Sequence, residues 1–207
     1  MARRAYDMRG RARAVDAARE RALSAARELL ADPACHELSL DAIARVAGVT
    51  RATLYNQFGS RSALLVALFQ DLGRLMQAER IYTAMHLADP QQALSATLRE
   101  STRAYVRQEP VIRKLFALAA LDGEVSREVA RAERQRRRSL TQLATRLVAS
   151  GDTRSSVAAA AALLAALTSF QAFQAFAVDS GPRLTERHLV QLARAGLGIS
   201  KRKGTVK

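Results

Sequence analysis

Residues 39–58, Ser-Leu-Asp-Ala-Ile-Ala-Arg-Val-Ala-Gly-Val-Thr-Arg-Ala-Thr-Leu-Tyr-Asn-Gln-Phe, constrain the fold more tightly than any other stretch of the chain. Leu40, Ile43, Ala44 and Ala47 recur at the i, i+3, i+4, i+7 spacing of one helical face. Ser39 stands where its hydroxyl can cap the free amides of the first turn. Gly48 falls where the chain must bend, and glycine enters left-handed backbone space at no steric cost. Thr50 offers a second N-cap, after which Leu54 and Phe58 share a face and are expected to pack on Ile43 and Val49. Arg51, Thr53, Tyr55, Asn56 and Gln57 are then left facing outward. Two short helices across so tight a turn read as a helix-turn-helix.

An outward face of donors, acceptors and one phenol at the start of a short helix suits base edges and phosphates. The same pattern also fits an ordinary helix pair in a core, so the charge of the whole chain matters. Thirty-three Lys and Arg against nineteen Asp and Glu give a net charge of +14, and the pI is near 11.3. Such a balance calls for a polyanionic partner, with nucleic acid the leading one, although ribosomal and membrane-surface proteins share it. Lysine occurs only at Lys114, Lys201, Lys203 and Lys207; together with abundant alanine, the arginine excess reflects genome composition as well as function.

Several classes of protein are excluded or disfavoured. At 207 residues the chain has ample length for a buried core in one large or two small domains. A single cysteine, Cys35, rules out an internal disulfide and fits a reducing, cytoplasmic setting; it reads as a small packing residue. Cys35 and His36 are adjacent, but His86 and His188 lie far off in sequence, so metal-ligand spacing is absent. There is no Gly-rich phosphate loop, no Gly-x-Ser-x-Gly and no other catalytic constellation, and neither enzymatic activity nor a cofactor is expected. No apolar stretch follows Met-Ala-Arg-Arg, which argues against a signal peptide. Residues 155–178 carry no charge, yet they are rich in alanine and include Thr168, Ser169, Gln171 and Gln174, so a buried helix fits them better than a membrane span.

The pattern predicts an all-α chain. Residues 1–13 hold Arg3, Arg4, Arg9, Arg11 and Arg13 without apolar periodicity, and are expected to form a basic disordered arm that either contacts DNA phosphates or is simply solvated. A helix follows from Ala14 to Ala31, closed by Asp32-Pro33. Ser60 caps a helix that starts with Arg61 and is expected to run on toward Tyr82 or His86. Asp89-Pro90 starts another helix, Glu109-Pro110 should break it, and Pro110 should restart it. Asp122-Gly123 opens a long helix ending near Gly151. Along it Arg127, Arg131, Arg134 and Arg138 form a cationic stripe beside Arg136 and Arg137, read either as an anion site or as a solvated face paired with Glu124, Glu128 and Glu133. Asp152 is expected to cap the charge-free helix ending around 179–181, and residues 184–197 make a last amphipathic helix. The tail, residues 200–207, is basic and expected to be disordered.

The run from Leu38 to Arg61 resembles the N-terminal domain of the tetracycline-repressor (TetR) family of bacterial transcriptional regulators. The Ile-Ala, Ala-Gly-Val-Thr, Thr-Leu-Tyr, Phe and Ser-Arg elements occur in order, and the likeness covers about residues 14–75. It implies an N-terminal three-helix DNA-binding domain over residues 14–59, a connecting helix over 60–80, and a helical ligand-binding and dimerisation domain over 81–199. Tyr55 is then expected on a phosphate, with Thr50 and Arg61 clamping the backbone and Arg51, Ala52, Thr53 and Asn56 reading bases; Ser39 and Gln57 complete the candidate DNA contacts. Two departures stand out: Ala34-Cys35 where the family often has Gly and an aromatic, and Gln57 where it often has His.

From the same resemblance come a homodimer through the last two long helices, a palindromic operator on double-stranded DNA and a small-molecule effector in the C-terminal bundle. Candidate effector contacts are Tyr82, Met85, Tyr105, Phe116, Phe170, Phe173 and Phe176, although aromatics at helical spacing also fit plain core. Few charges near them point to a mainly apolar effector. The expected function is a ligand-responsive repressor. The main rival is an architectural DNA binder of low specificity with no effector.

Overall fold

The structure is a computed structural model that describes the backbone of residues 2–34 and 38–199, and side chains over 13–34, 38–178, 181 and 183–199. Cys35, His36 and the 200–207 tail lie outside the described residues, as do the side chains of the expected N-terminal arm. Among the described residues all regular structure is helical: α1 (Ala2–Ala31), α2 (Leu40–Ala47), α3 (Arg51–Phe58), α4 (Arg61–Leu75), α5 (Ala78–Met85), α6 (Pro90–Ala119), α7 (Gly123–Ala149), α8 (Val157–Leu167) and α9 (Phe170–Gly196). The chain divides into two compact units, residues 1–73 with 109–130 and residues 74–108 with 131–207. Residues 109–130, expected in the C-terminal domain, therefore cluster with the first unit.

In the first unit α1 packs on α2 and α3. Ala22, Leu23, Ala26 and Leu30 of α1 are buried, as are Ile43, Leu54, Leu64, Leu65 and Leu68. Arg27 of α1 pairs with the buried carboxylate of Asp71 in α4. Ser62 Oγ donates to Asp122 Oδ2 at 2.6 Å, and that bond holds the Asp122 carboxyl below its ordinary value. α1 begins at Ala2, not Ala14, which corrects the expected disordered arm at the level of the backbone. Alanine and arginine are among the best helix formers, so a segment with no apolar face can still extend a helix already nucleated downstream.

In the second unit Leu94, Leu98, Leu140, Leu143, Leu164, Leu189 and Leu197 form one apolar core. Several expected boundaries move. The helix starting at Arg61 stops at Leu75, and the chain turns through Gln77, a non-glycine residue at φ 54°. Pro110 does not end its helix: α6 runs through it. A proline removes one backbone bond and pushes against the preceding turn, which kinks a helix but does not terminate one whose buried face continues, here through Val111 and Ile112. The break expected there appears as the division between the units, one residue earlier.

The charge-free stretch is two helices. Ser156, not Asp152, caps α8, its Oγ accepting from Ala159 N; Asp152 instead accepts from Gln91 Nε2 and Ser150 Oγ. Ser169 caps α9 through Ala172 N at 3.1 Å, and α8 meets the first part of α9 at a 54° bend. No single helix among the described residues is long and apolar enough to cross a membrane. Near its middle α9 leaves helical geometry at Gly181 (φ 66°, ψ 167°), where the charge-free helix was expected to end.

The bend between α8 and α9 is tied to two other helices of its unit. Tyr105 of α6 donates its hydroxyl to the Thr168 carbonyl at 2.9 Å. Arg136 of α7 donates to Thr168 Oγ1 and to the Ala165 carbonyl, while its other donors engage Glu133 in a two-point pair at 2.7 and 2.8 Å. Thr168 Oγ1 in turn donates to the Leu164 carbonyl. Burial pushes the Tyr105 phenol up to about 12 despite the nearby Arg136 charge. For Glu133, partial burial works against ionisation, but the bonds and charges of Arg136 and Arg137 prevail and hold its carboxyl below the ordinary glutamate value.

Three outcomes follow from this packing. Leu98→Ala, at a fully buried site, should lower the unfolding free energy by about 2–5 kcal/mol. Gly48→Ala should cost only about 1 kcal/mol, because an added Cβ meets nothing within 4 Å and the strain is that of the backbone at φ 63° alone. Urea unfolding midpoints at constant m-value check both. Because the folded Glu133 pKa is depressed, its contribution to stability is present above the ordinary glutamate range and is lost as pH falls through the lowered value. Thermal unfolding followed from pH 7 to pH 3 should therefore fall more steeply for wild type than for Glu133→Gln.

Candidate DNA interface and effector region

The helix-turn-helix is built as its residues dictate. Ser39 has extended backbone and its Oγ accepts from Ala42 N at 3.1 Å, so α2 starts where the hydroxyl can close it. α2 ends on Gly48 at φ 63°, whose amide, with that of Val49, takes up the Arg45 and Ala44 carbonyls. Thr50 caps α3 through Thr53 N at 3.1 Å, and the two threonine hydroxyls lie 2.9 Å apart. Gly59, at φ 79°, closes α3 on the Tyr55 carbonyl, and Ser60 Oγ caps α4 through Ala63 N. Five ends in twenty-two residues are thus closed by short-range bonds, and α3 has little freedom to slide or fray.

On this frame Arg51, Ala52, Tyr55 and Asn56 are exposed, with Tyr55 61% accessible. Leu54 and Ile43 point inward as expected. Phe58 and Val49 are only half-buried; the Phe58 ring is covered by the Arg19 guanidinium of α1, 4.8 Å from its centroid. Gln57 and Thr53, expected to face outward, are half-buried. The Gln57 amide donates to the Val15 carbonyl at 3.2 Å, tying α3 to α1, because one more turn of helix carries it round from the exposed face toward α1. Arg61 Nε donates to the Leu38 carbonyl at 2.8 Å, which fixes the segment entering α2.

Sequence reasoning missed two supports of the exposed face. Arg51 pairs with Asp41 at 2.8 Å, both well exposed, so the pair is worth little to stability but orients the guanidinium. Arg19 over Phe58 is the other. Neither partner lies at an i, i+3 or i, i+4 spacing, the only charge signal readable along one helix.

In the second unit the expected effector contacts separate. Tyr105, Phe170 and Phe173 pack together, with centroids 5.4, 5.6 and 6.0 Å apart. Met85 is buried in the apolar core. Tyr82 is exposed and leans on the His86 ring at 4.2 Å, and Phe176 faces His188 at 6.3 Å. Phe116 falls in the first unit. An open cleft of about 440 Å³ lies among Glu79, Arg80, Thr83, Ala84, Leu87, Ala96 and Glu100, none of which was anticipated. Arg127, Arg131, Arg134 and Arg138 of the α7 stripe are all exposed, whereas Arg136 turns inward to the α8–α9 bend.

Residues 22–68, from α1 into α4, match the sequence model of the bacterial regulatory proteins of the tetR family. Curated protein sequences yield no match. Solved structures share the fold. A transcriptional regulator from Rhodococcus sp. Rha1 is 19% identical, with 88% of this chain and 99% of that one covered and a TM-score of 0.68. NalD, the secondary repressor of the MexAB-OprM multidrug efflux pump in Pseudomonas aeruginosa, is 23% identical over 92% of this chain and 99% of its own, with a TM-score of 0.64. AibR, in complex with isovaleryl coenzyme A and operator DNA, is 20% identical over 88% of this chain and 100% of its own, with a TM-score of 0.68. The sequence pattern of the tetR family of bacterial regulatory proteins thus lies on the capped helices that form the helix-turn-helix, within residues 22–68.

Proposed function

We propose that the protein is a homodimeric repressor that binds a palindromic operator through α3 and is released by a small effector held in the second unit. The observation that carries the reading is α3 itself: closed at both ends, it presents Arg51, Ala52, Tyr55 and Asn56 together at the surface. In this reading Tyr55 and Arg61 hold phosphates, Ser39 and Thr50 approach the backbone at the two capped helix starts, and Arg51, Ala52, Thr53 and Asn56 meet base edges. Gln57 orients α3 through Val15, and its part in DNA contact is correspondingly smaller.

The dimer rests on exposed apolar surface. α8 has no charged side chain, yet Ala158, Ala159, Ala162 and Ala166 are exposed. On α9 Val178, Leu184 and Leu192 are exposed as well. The two helices pack closely: a Cβ on Gly196 would come within 2.7 Å of Leu163 Cδ2. Exposed apolar side chains of this kind are what a self-complementary two-fold interface covers. For the effector, the Tyr105, Phe170 and Phe173 group supports an apolar moiety, and the isovaleryl chain bound by AibR is of that kind. An effector acts by favouring the dimer geometry whose half-site spacing does not fit DNA.

Selection of bound fragments from a random DNA pool should enrich an inverted repeat; a pool returned without enrichment would count against sequence-specific regulation and for an architectural binder. On the enriched DNA, Tyr55→Phe should weaken binding to every sequence alike, whereas Asn56→Ala should relax preference at particular base pairs by about 1–3 kcal/mol. Identical effects of the two changes on base preference would contradict the assigned roles. Ala162→Arg, at an exposed α8 position, should move the protein from dimer to monomer in sedimentation velocity without loss of helix content.

A further inference from the structure

The dimer face proposed above is made of two helices meeting at an angle, so its shape depends on whatever fixes that angle. The break between α8 and α9 spans only Thr168 and Ser169. Left alone, such a break is a hinge, because the last carbonyls of α8 have no partner within the helix. Here each is taken. Leu164 O accepts from Thr168 N and Thr168 Oγ1, and Ala166 O accepts from Ser169 N and Ser169 Oγ. Ala165 O accepts from Arg136, and Thr168 O from Tyr105.

The first two sets are local and would survive rotation of α9 as a body. The last two are not: they reach the break from α7 and α6, 29 and 63 residues away in sequence. Both donors are constrained in turn. Arg136 is fixed by its two-point pair with Glu133, and Tyr105 by the rings of Phe170 and Phe173 at the start of α9. A cation beside the C-terminal carbonyls of α8 also meets the negative end of that helix.

We infer that Tyr105 and Arg136 are positioning residues for the α8–α9 face: by holding Thr168 they set the 54° bend, and so the angle at which a second copy of this chain docks. The inference rests on the dimer reading, and it makes the aromatic group the point where an effector reaches the interface. A molecule that displaces the Tyr105 ring from Phe170 and Phe173 removes one of the two long-range ties on the bend.

The test uses the full-length protein and three variants. Tyr105→Phe removes only the hydroxyl, and Thr168→Val removes the oxygen that Arg136 holds. Arg137→Ala is the control, since Arg137 shares Glu133 but does not reach Thr168. Each is measured by thermal unfolding, by dimer dissociation in analytical ultracentrifugation, and by binding to the wild-type-enriched inverted repeat with its spacer lengthened or shortened by one base pair. Tyr105→Phe and Thr168→Val should remain helical, weaken the dimer about tenfold and flatten the preference for the original spacer, while Arg137→Ala behaves as wild type. Unchanged dimer affinity and spacer preference in both variants would overturn the inference, as would losses that merely track a lowered unfolding temperature or appear equally in Arg137→Ala. A wild-type protein that is monomeric at micromolar concentration refutes the dimer reading itself, a result distinct from either.

Discussion

Carbonyls at helix ends are the constraint on which this structure turns. An all-helical chain leaves its last carbonyls unpaired at every helix, and their burial without partners costs on the order of 1–3 kcal/mol each. This protein meets much of that demand with cations from distant helices. Lys114 donates to the Asp32 carbonyl beyond α1. Arg146 takes the carbonyls of Met85, Leu87 and Ala88 at the end of α5. Arg136 takes Ala165 at the end of α8. A positive charge there is favoured twice, by the hydrogen bond and by the negative end of the helix dipole.

That use of cations changes what the net charge of +14 means. A basic excess read from composition looks like a footprint of nucleic acid. Part of it is internal: Arg136 and Arg146 are half-buried, and their donors are spent on backbone. The exposed arginines of the α7 stripe are a separate population, as are Arg51 and its neighbours on α3. Charge counts therefore overstate the surface available to DNA, and the case for a DNA partner rests on the capped geometry of α3 rather than on the sum.

The helix-turn-helix was legible almost to the residue because every device that shapes it is local. Ser39, Gly48, Thr50, Gly59 and Ser60 act on amides or carbonyls no more than five positions away, and their chemistry can be read along the chain. The second unit was legible only in outline. Gln77 turns the chain with no glycine or proline to announce it, and Ser156 and Ser169 cap helices within a run whose composition suggested a single one. Pro110 misled in the other direction, because the buried face continues directly after it at Val111 and Ile112. The candidate effector group was half legible. Tyr105, Phe170 and Phe173 do meet, but only after α6 and α9 fold back on each other, and Tyr82 shares their chemistry without sharing their place.

The contrast between local and long-range closure bears on how such a protein can be switched. Moving a two-state equilibrium from mostly one form to mostly the other takes about 5.5 kcal/mol of differential binding. The caps of α2, α3 and α4 are independent of one another, so no single ligand could alter them together. At Thr168 the hydrogen bonds from Tyr105 and Arg136 converge on one residue and draw on the same aromatic and ionic neighbours. Each is worth about 0.5–3 kcal/mol net, the upper end applying to the charged donor. Their joint loss, about 2–4.5 kcal/mol, is a large part of what such a switch requires, and it can be brought about at one place. A fold that keeps α3 locally closed and the α8–α9 bend held from a distance separates what stays constant from what can change.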